Sequence, residues 1–590
     1  MEFYRNQKTL HLQELKKLNR RYNIISASRL LMAVAAIVLG YYSLQAQDPA
    51  VLLCFMAFCI VEFILLMNRH ALVLNKKLRA EALVTINEEE IDYLSGKTIP
   101  FENGVEFTDY KHPYTHDLDI FGNRSLYHNI NRAQTFKGKE KLAVLLKDVL
   151  PQDAIEKNQE AVQELAQKPE LRQEIMALGR VKKDSKEIYN RLTVWAYAKT
   201  HSIATVASII AFVTPVLLVG CIAAYFITGY EVFSSVAGWI FGFNLLFIMS
   251  QVKSIKAEMK DISEIDNIIH HYGLILEQIE KETFISEKLK SLQTELVNNN
   301  RTASVNIKKL AVLFSRLDSM NNVFGAALLN GIMLYHFHSF KALIRWKKDN
   351  AENIIRWLDV IAEIEALSSF ANLYYNNPDF SFPQLNTNHT IEFKNLAHPL
   401  LKKESRVGND IAFGSDFMIL TGSNMSGKST FLRSLGINMV LAGAGAPVCA
   451  SSAVVHPLPV LVSMRLSDSL TDSESYFFAE IKRLRYIMDE LGNKKAFVLL
   501  DEILRGTNSD DKRTGTIKVI KKMIGLNAIG AIATHDIEVC ALSDEYPQQL
   551  VNRCFEAQIE NNELYFDYRL RDGICKNKSA TFLMEKMGVI

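Results

Sequence analysis

Four stretches of this 590-residue chain are almost free of charge, and they limit what it can fold into more than any other feature. Residues 201–230 and 232–252 contain no Asp, Glu, Lys or Arg; residues 24–44 hold only Arg29, and residues 51–67 only Glu62. Each approaches the ~20 apolar residues that cross a hydrocarbon layer ~30 Å thick. Burial in a soluble core is the competing explanation, and two charge-free runs back to back speak against it. A leader cleaved near Ala46 would account for the first run alone, but a second apolar run follows at once. The flanks supply an orientation. Lys16, Lys17, Arg20 and Arg21 precede the first run, Arg69, Lys76, Lys77 and Arg79 follow the second, and residues 45–50 between them contain neither Lys nor Arg. The second pair repeats the pattern, with Arg191 and Lys199 before it, Lys253 and Lys256 after it, and only Glu231 between. By the positive-inside rule these are two hairpins, giving a multi-pass protein of the inner (plasma) membrane with its large segments cytoplasmic.

Taken over the whole chain, the composition is that of folded domains. Hydrophobic residues make up 48% and charged residues 22%, which excludes wholesale disorder. The net charge of +2 excludes a chain-wide basic field, so any nucleic-acid binding must come from a local patch. The seven cysteines form no CxxC pair, which supports neither a disulfide framework nor a zinc module. Helical spacing opens at Phe136 and continues over 153–178; residues 252–300 read as one long exposed helix, and 301–376 as further helix. Strands alternate with helices from about 390 onward. The expected segments are 1–70 (basic helix and first hairpin), 71–200 (linker and first part of a helical core), 201–252 (second hairpin), 253–385 (lever helix and second part of the core) and 386–590 (an α/β domain).

The sharpest chemical signal lies in that last segment. Gly422, Ser423, Asn424, Met425, Ser426, Gly427, Lys428 and Ser429 follow an apolar run and precede a helical one, the order a phosphate cradle requires. Backbone N–H groups and the helix N-terminus would face the phosphates, Lys428 would reach the β- and γ-phosphates, and Ser429 would ligate Mg²⁺. A second apolar run, 496–500, ends in Asp501 and Glu502: Asp501 would orient Mg²⁺ and Glu502 would polarise the attacking water. A third leads to Thr534 and His535, and His535 can sense the γ-phosphate.

Three segments resemble the ATPase domain of the MutS mismatch-repair family: Thr421 through Thr430, Leu499 through Thr507 (LLDEILRGT), and Ala533-Thr534-His535. Ser475-Tyr-Phe-Phe-Ala-Glu480 is similar to the family segment that reaches across the dimer, Ala397-His-Pro to its entry into the domain, and Thr135-Phe-Lys-Gly to the start of its helical core. The resemblance implies an ABC-type P-loop ATPase domain after an all-α core, using ATP and Mg²⁺. It further implies a homodimer with composite sites in which Ser475 acts from the partner chain, Asn424 at the phosphates, and Phe413 near the adenine. The departures matter as much. No Phe-x-Glu wedge for mismatch reading is present in residues 1–70, and the second hairpin stands where the family sends out its DNA-touching clamp. Two functions remain open: a membrane-bound ATPase that binds mismatched or branched DNA, or a membrane mechanochemical switch that binds none. Lys253, Lys256 and Lys260 at the membrane edge suit anionic lipid equally well.

Overall fold

The computed structural model describes residues 1–260, 265–298, 301–414, 416–423, 425–465, 476–560, 563–575 and 589. Helices Glu2–Ser43 and Ala50–Leu94 run side by side as a hairpin. Lys8 pairs with Glu88 at 3.0 Å, Arg79 reaches Glu14 at 3.7 Å, and the Tyr22 ring lies 4.3 Å from His70. The apolar runs form the hairpin tip, where Leu30, Ile37, Phe55 and Phe58 are exposed. The second helix continues to Leu94, well past the expected boundary at 70, because Ala82, Leu83 and Ile86 fall on one helical face and bury against Met176 and Ala177.

Helices Thr205–Thr228 and Glu231–Met259 form the second hairpin, turning at Gly229, whose φ of 72° is the left-handed value a helix C-terminus favours. Phe226 and Trp239 point outward, each 81% exposed. The four hairpin helices are long and apolar enough to cross a membrane.

The core between and after the hairpins is helical: Phe136–Leu145, Gln152–Ala166, Pro169–Arg180, Lys186–Tyr197, Asp266–Lys281, Ala303–Asp318 and Tyr335–Asn376. Thr135 caps the first by accepting from the Gly138 amide, and Pro169 at a helix start splits the pattern over 153–178. The expected single helix over 252–300 is not what forms. Helices ending at Met259 and Lys281 are followed by Glu287–Thr294. One break has a visible cause: the Glu164 carboxylate accepts from the amides of Ile285 at 2.9 Å and Ser286 at 2.7 Å, which turns the chain. The long helix is instead Tyr335–Asn376, 42 residues and so about 63 Å, with Trp357, Ile364 and Phe370 fully buried.

Buried polar contacts fasten the first hairpin to that helix. Tyr4 donates to Asn376 at 2.9 Å, and Glu90 accepts from Asn372 at 3.0 Å while pairing with buried Arg132. Arg172 also donates to Asn372, at 2.7 Å.

The C-terminal segment builds a four-stranded sheet from Gln384–Leu385, Ser452–Val455, Ile391–Leu396 and Asn409–Phe413, in that spatial order. Beside it stands a six-stranded sheet of β1 (Phe417–Gly422), β2 (Val460–Ser463), β3 (Phe497–Asp501), β4 (Ile529–Ala533), β5 (Leu550–Glu560) and β6 (Glu563–Asp572). Its order is β6-β5-β1-β4-β3-β2, parallel throughout except for the β5–β6 hairpin. β1 to β4 are almost continuously apolar and buried, as strands covered on both faces must be.

Candidate nucleotide site

Three central strands end at one place. β1 runs into the glycine loop and then into helix Lys428–Ala444, so the loop sits at the carboxyl end of a strand flanked by β4 and β5. That is where open α/β sheets place ligands. Close approach fixes Gly422: a Cβ there would stand 2.7 Å from the Ser426 hydroxyl and 2.8 Å from the Phe555 carbonyl. Gly427 has φ 100° and lies under the Tyr568 ring. Lys428 is 5% exposed and donates to the loop's own carbonyls, Gly422 at 2.8 Å and Ser423 at 2.9 Å. Burial pulls its ammonium below the ordinary lysine range, with Glu502 and Asp501 acting against that shift.

β3 delivers Asp501, whose Oδ2 accepts from the Ser429 hydroxyl at 2.6 Å. The two groups assigned to Mg²⁺ from the sequence therefore meet. Asp501 Oδ1 and the Ser423 and Ser426 hydroxyls are buried and make no hydrogen bond. Hard oxygen donors with spare capacity suit Mg²⁺, which takes one or two protein oxygens and completes its shell with phosphate and water. Among the described residues, no cluster of three His, Cys, Asp or Glu side chains forms a self-sufficient metal cage.

Glu502 follows with φ 49° and Leu504 with φ 62°, conformations that cost of order 1–3 kcal/mol each and persist only when held. Several contacts hold them. The Glu502 amide donates to Ala533 O at 3.0 Å; Arg505 donates to Glu502 O at 2.9 Å and Asp501 O at 3.0 Å; and Glu480 accepts from the Leu504 amide at 2.7 Å. Glu480 is 8% exposed, and burial raises its carboxyl above the usual range despite those amides. At the end of β4, His535 Nε2 meets the Glu502 carboxylate, and this hydrogen bond is the chief reason Glu502 is held down at about 2.

A cavity of about 550 Å³ opens over the loop, lined by Ser423, Met425, Lys428, Ser429, Thr430 and Glu502 on one side and by His398, Val407, Asn409 and Tyr568 on the other. Burial lowers His398 to about 4, so it lines the cavity as a neutral ring at neutral pH. Phe413 is placed elsewhere, contrary to the adenine-stacking expectation. It is 2% exposed and packs edge-on against Phe497 at 5.3 Å, because alternation along its strand (buried Asn409, Ile411 and Phe413) points it into the core. The aromatic rings at the cavity are Tyr568, Phe431 and Phe555. Asn424 and Ser475 lie outside the described residues.

Sequence reasoning missed a set of charges next to the site. Asp119 accepts from Arg433 at 2.8 Å and from Arg465 at 2.5 Å, while Asp117 accepts from the amides of Met464 and Arg465 at 2.8 and 2.9 Å. Segment 113–119 is thereby stitched to β2, where Val462 donates to Pro113 O at 3.0 Å. No local pattern in the sequence signals contacts between residues so far apart.

A glycine loop between a central parallel strand and a helix, with an acidic pair on a sister strand, defines an α/β domain suited to a phosphate-bearing ligand. Residues 418–588 match the family described as MutS domain V. The chain is 30% identical over 237 residues to MutS protein homolog 4 of Homo sapiens, covering 38% of this chain and 24% of that protein. It is 30% identical over 244 residues to the DNA mismatch repair protein MutS of Thermotoga maritima, covering 40% and 30% respectively. The corresponding protein of Fusobacterium nucleatum is 30% identical over 240 residues. The chain thus spans about a quarter to three-tenths of the length of these curated relatives. Over this C-terminal segment the chain is similar to proteins of the MutS family.

Proposed function

We propose that this chain is a membrane-anchored ATPase of the MutS type, binding and hydrolysing ATP in the cavity over the glycine loop. The observation that carries the reading is the convergence of the loop, the Ser429–Asp501 pair, Glu502 and His535 at the carboxyl ends of the three adjacent strands β1, β4 and β3. In this reading loop amides and Lys428 grip the phosphates, and Ser429 and Asp501 hold Mg²⁺. The metal, when bound, neutralises charge on the transferred phosphoryl group. Glu502 orients and deprotonates the attacking water once His535 turns from it toward the γ-phosphate. Ser475 completes the site from a partner chain, so that ATP closes a homodimer. The four apolar helices are read as spans in an inner membrane, with the ATPase domain cytoplasmic and lipid as a partner.

By family role the ligand would be mismatched or branched DNA. A second reading, an ATP-driven membrane switch without DNA, is favoured by one observation: the first hairpin's helices run unbroken into the core and are fastened there through Tyr4 and Glu90. Steady-state ATP hydrolysis by the detergent-purified protein, with and without homoduplex, mismatched and branched DNA at fixed salt, separates the two. Stimulation by mismatched or branched DNA supports the family role. Hydrolysis indifferent to all three supports the switch, and absence of Mg²⁺-dependent hydrolysis refutes both.

A further inference from the structure

One apolar element belongs to neither hairpin. Helix Val323–Met333 is 11 residues, about 16 Å and so too short to cross a ~30 Å layer. Its outer face is almost wholly apolar and exposed: Phe324 at 90%, Val323 at 73% and Leu328 at 57%, with Met333 beside them. Such a face on a soluble surface would be a liability. Its inner face is seated on the second hairpin. Asn244, fully buried, donates to Gly331 O at 2.9 Å, and the Phe241 ring lies so close to Gly331 that a Cβ there would overlap it. Just beyond the helix, Phe337 packs on Phe247 at 5.2 Å and His338 contacts Ala211 O at 3.0 Å.

The contact depth follows from the helix rise. Asn244 stands nine residues before Lys253, the first charge after the apolar run, which is about 14 Å along the axis and near the middle of the hydrocarbon layer. The short helix is therefore continuous with the lipid-facing surface of the spans. Lys253, Lys256, Lys260, Arg345 and Lys348 are all exposed just beyond it, as a headgroup boundary requires.

Resting on the membrane reading above, we propose that Val323–Met333 is a fifth membrane-embedded element, a half-helix buried among acyl chains on the cytoplasmic side. Its ends are hydrogen-bonded within the chain: exposed Asn322 caps it by accepting from the Gly325 amide, and buried Asn330 accepts from the His336 amide at 3.0 Å. Leu334, at φ 47°, breaks it directly into Tyr335–Asn376, so the bilayer holds one end of the helix whose other end carries the Asn372 and Asn376 contacts to the first hairpin.

The test uses the full chain in phosphatidylethanolamine–phosphatidylglycerol vesicles, with Cys54 and Cys221 replaced by Ser and a nitroxide placed at Phe324→Cys or Leu328→Cys. Controls are Phe226→Cys on a span and Lys494→Cys in the exposed α/β domain. Collisional relaxation by oxygen, which partitions into lipid, is compared with that by a water-soluble nickel complex. The proposal expects oxygen-to-nickel ratios at 324 and 328 close to the ratio at 226 and severalfold above that at 494. A lipid-like ratio at 226 with a water-like ratio at 324 and 328 overturns it while sparing the spans. Protection from both reagents at 324 and 328 overturns it in favour of a second copy or another protein covering this face. A water-like ratio at 226 removes the membrane reading itself.

Discussion

Replacing Glu502 by Gln tests the chemical assignment with the least structural disturbance. The substitution keeps the side-chain volume, leaves an oxygen to accept from His535, and places no new demand on the backbone at φ 49°. The phosphates are assigned to the loop amides and Lys428, so nucleotide affinity is expected to stay within about threefold of the parent, under 1 kcal/mol. Hydrolysis loses its proton acceptor. A positioned general base supplies about 10²–10⁴ in rate, which at 1.36 kcal/mol per tenfold raises the barrier by about 3–5 kcal/mol. The assay is paired: phosphate release at saturating Mg²⁺-ATP, and equilibrium binding of a fluorescent nucleotide, on the detergent-purified protein. The pH profile adds a constraint. Before nucleotide binds, His535 holds the Glu502 carboxyl at about 2, so the contribution of its ionised form to kcat/KM is lost only as pH falls toward that value. The stability the pair contributes is likewise complete above 4.5 and lost as pH falls through about 2. His535→Ala therefore moves the acid limb of Glu502 upward toward 4.5. Turnover of Glu502→Gln within threefold of the parent, or loss of binding equal to the loss of turnover, refutes the assignment.

Gly427→Ala combines a strained φ of 100° with pressure on the Tyr568 ring, and should weaken nucleotide binding at least about tenfold by equilibrium titration. Glu90→Ala leaves Arg132 buried without its partner and should cost about 3–5 kcal/mol, read as a lowered unfolding temperature in detergent. Glu365 is fully buried and raised by burial from 4.5 to about 7, so its ionised form is disfavoured in the fold. With respect to this group stability is greatest below 4.5 and falls as pH rises through about 7; Glu365→Gln should flatten that slope in thermal melts. Mixing Ser475→Ala chains with Lys428→Ala chains should restore hydrolysis if the serine acts across a dimer; no recovery with heterodimers demonstrated removes it from the site.

What the sequence made legible was whatever is local and contiguous. A glycine loop between an apolar strand and a helix is eight residues in a row, and each has a steric or electrostatic reason to be there; the fold places Lys428 and Ser429 of this loop near Asp501 and Glu502. The hairpin helices were legible for the same reason: a charge-free run has to bury its whole circumference or meet lipid. Phe413 was misread because an aromatic residue near a strand end gives no indication of which face of the sheet it occupies. Register decides that, and register is set by partners such as Ile391 across the ladder.

The harder failures concern residues whose meaning depends on distant ones. Asp119 looks like any surface carboxylate until it meets Arg465, 346 residues away, and nothing in its neighbours signals that approach. Residues 252–300 carry the stripe of a continuous helix, yet the stripe is equally satisfied by shorter helices that fold back. The choice between them is made by Glu164, over 100 residues upstream, which takes two backbone amides out of helical pairing. Helix Val323–Met333 fails the length rule for a span, so its apolar character reads as core until Asn244 and Phe241 place it against the second hairpin. A length rule judges each segment alone, whereas a half-helix needs only a neighbour already in the bilayer to satisfy its inner face. Short apolar segments next to predicted hairpins therefore have to be weighed with those hairpins, as parts of one buried surface.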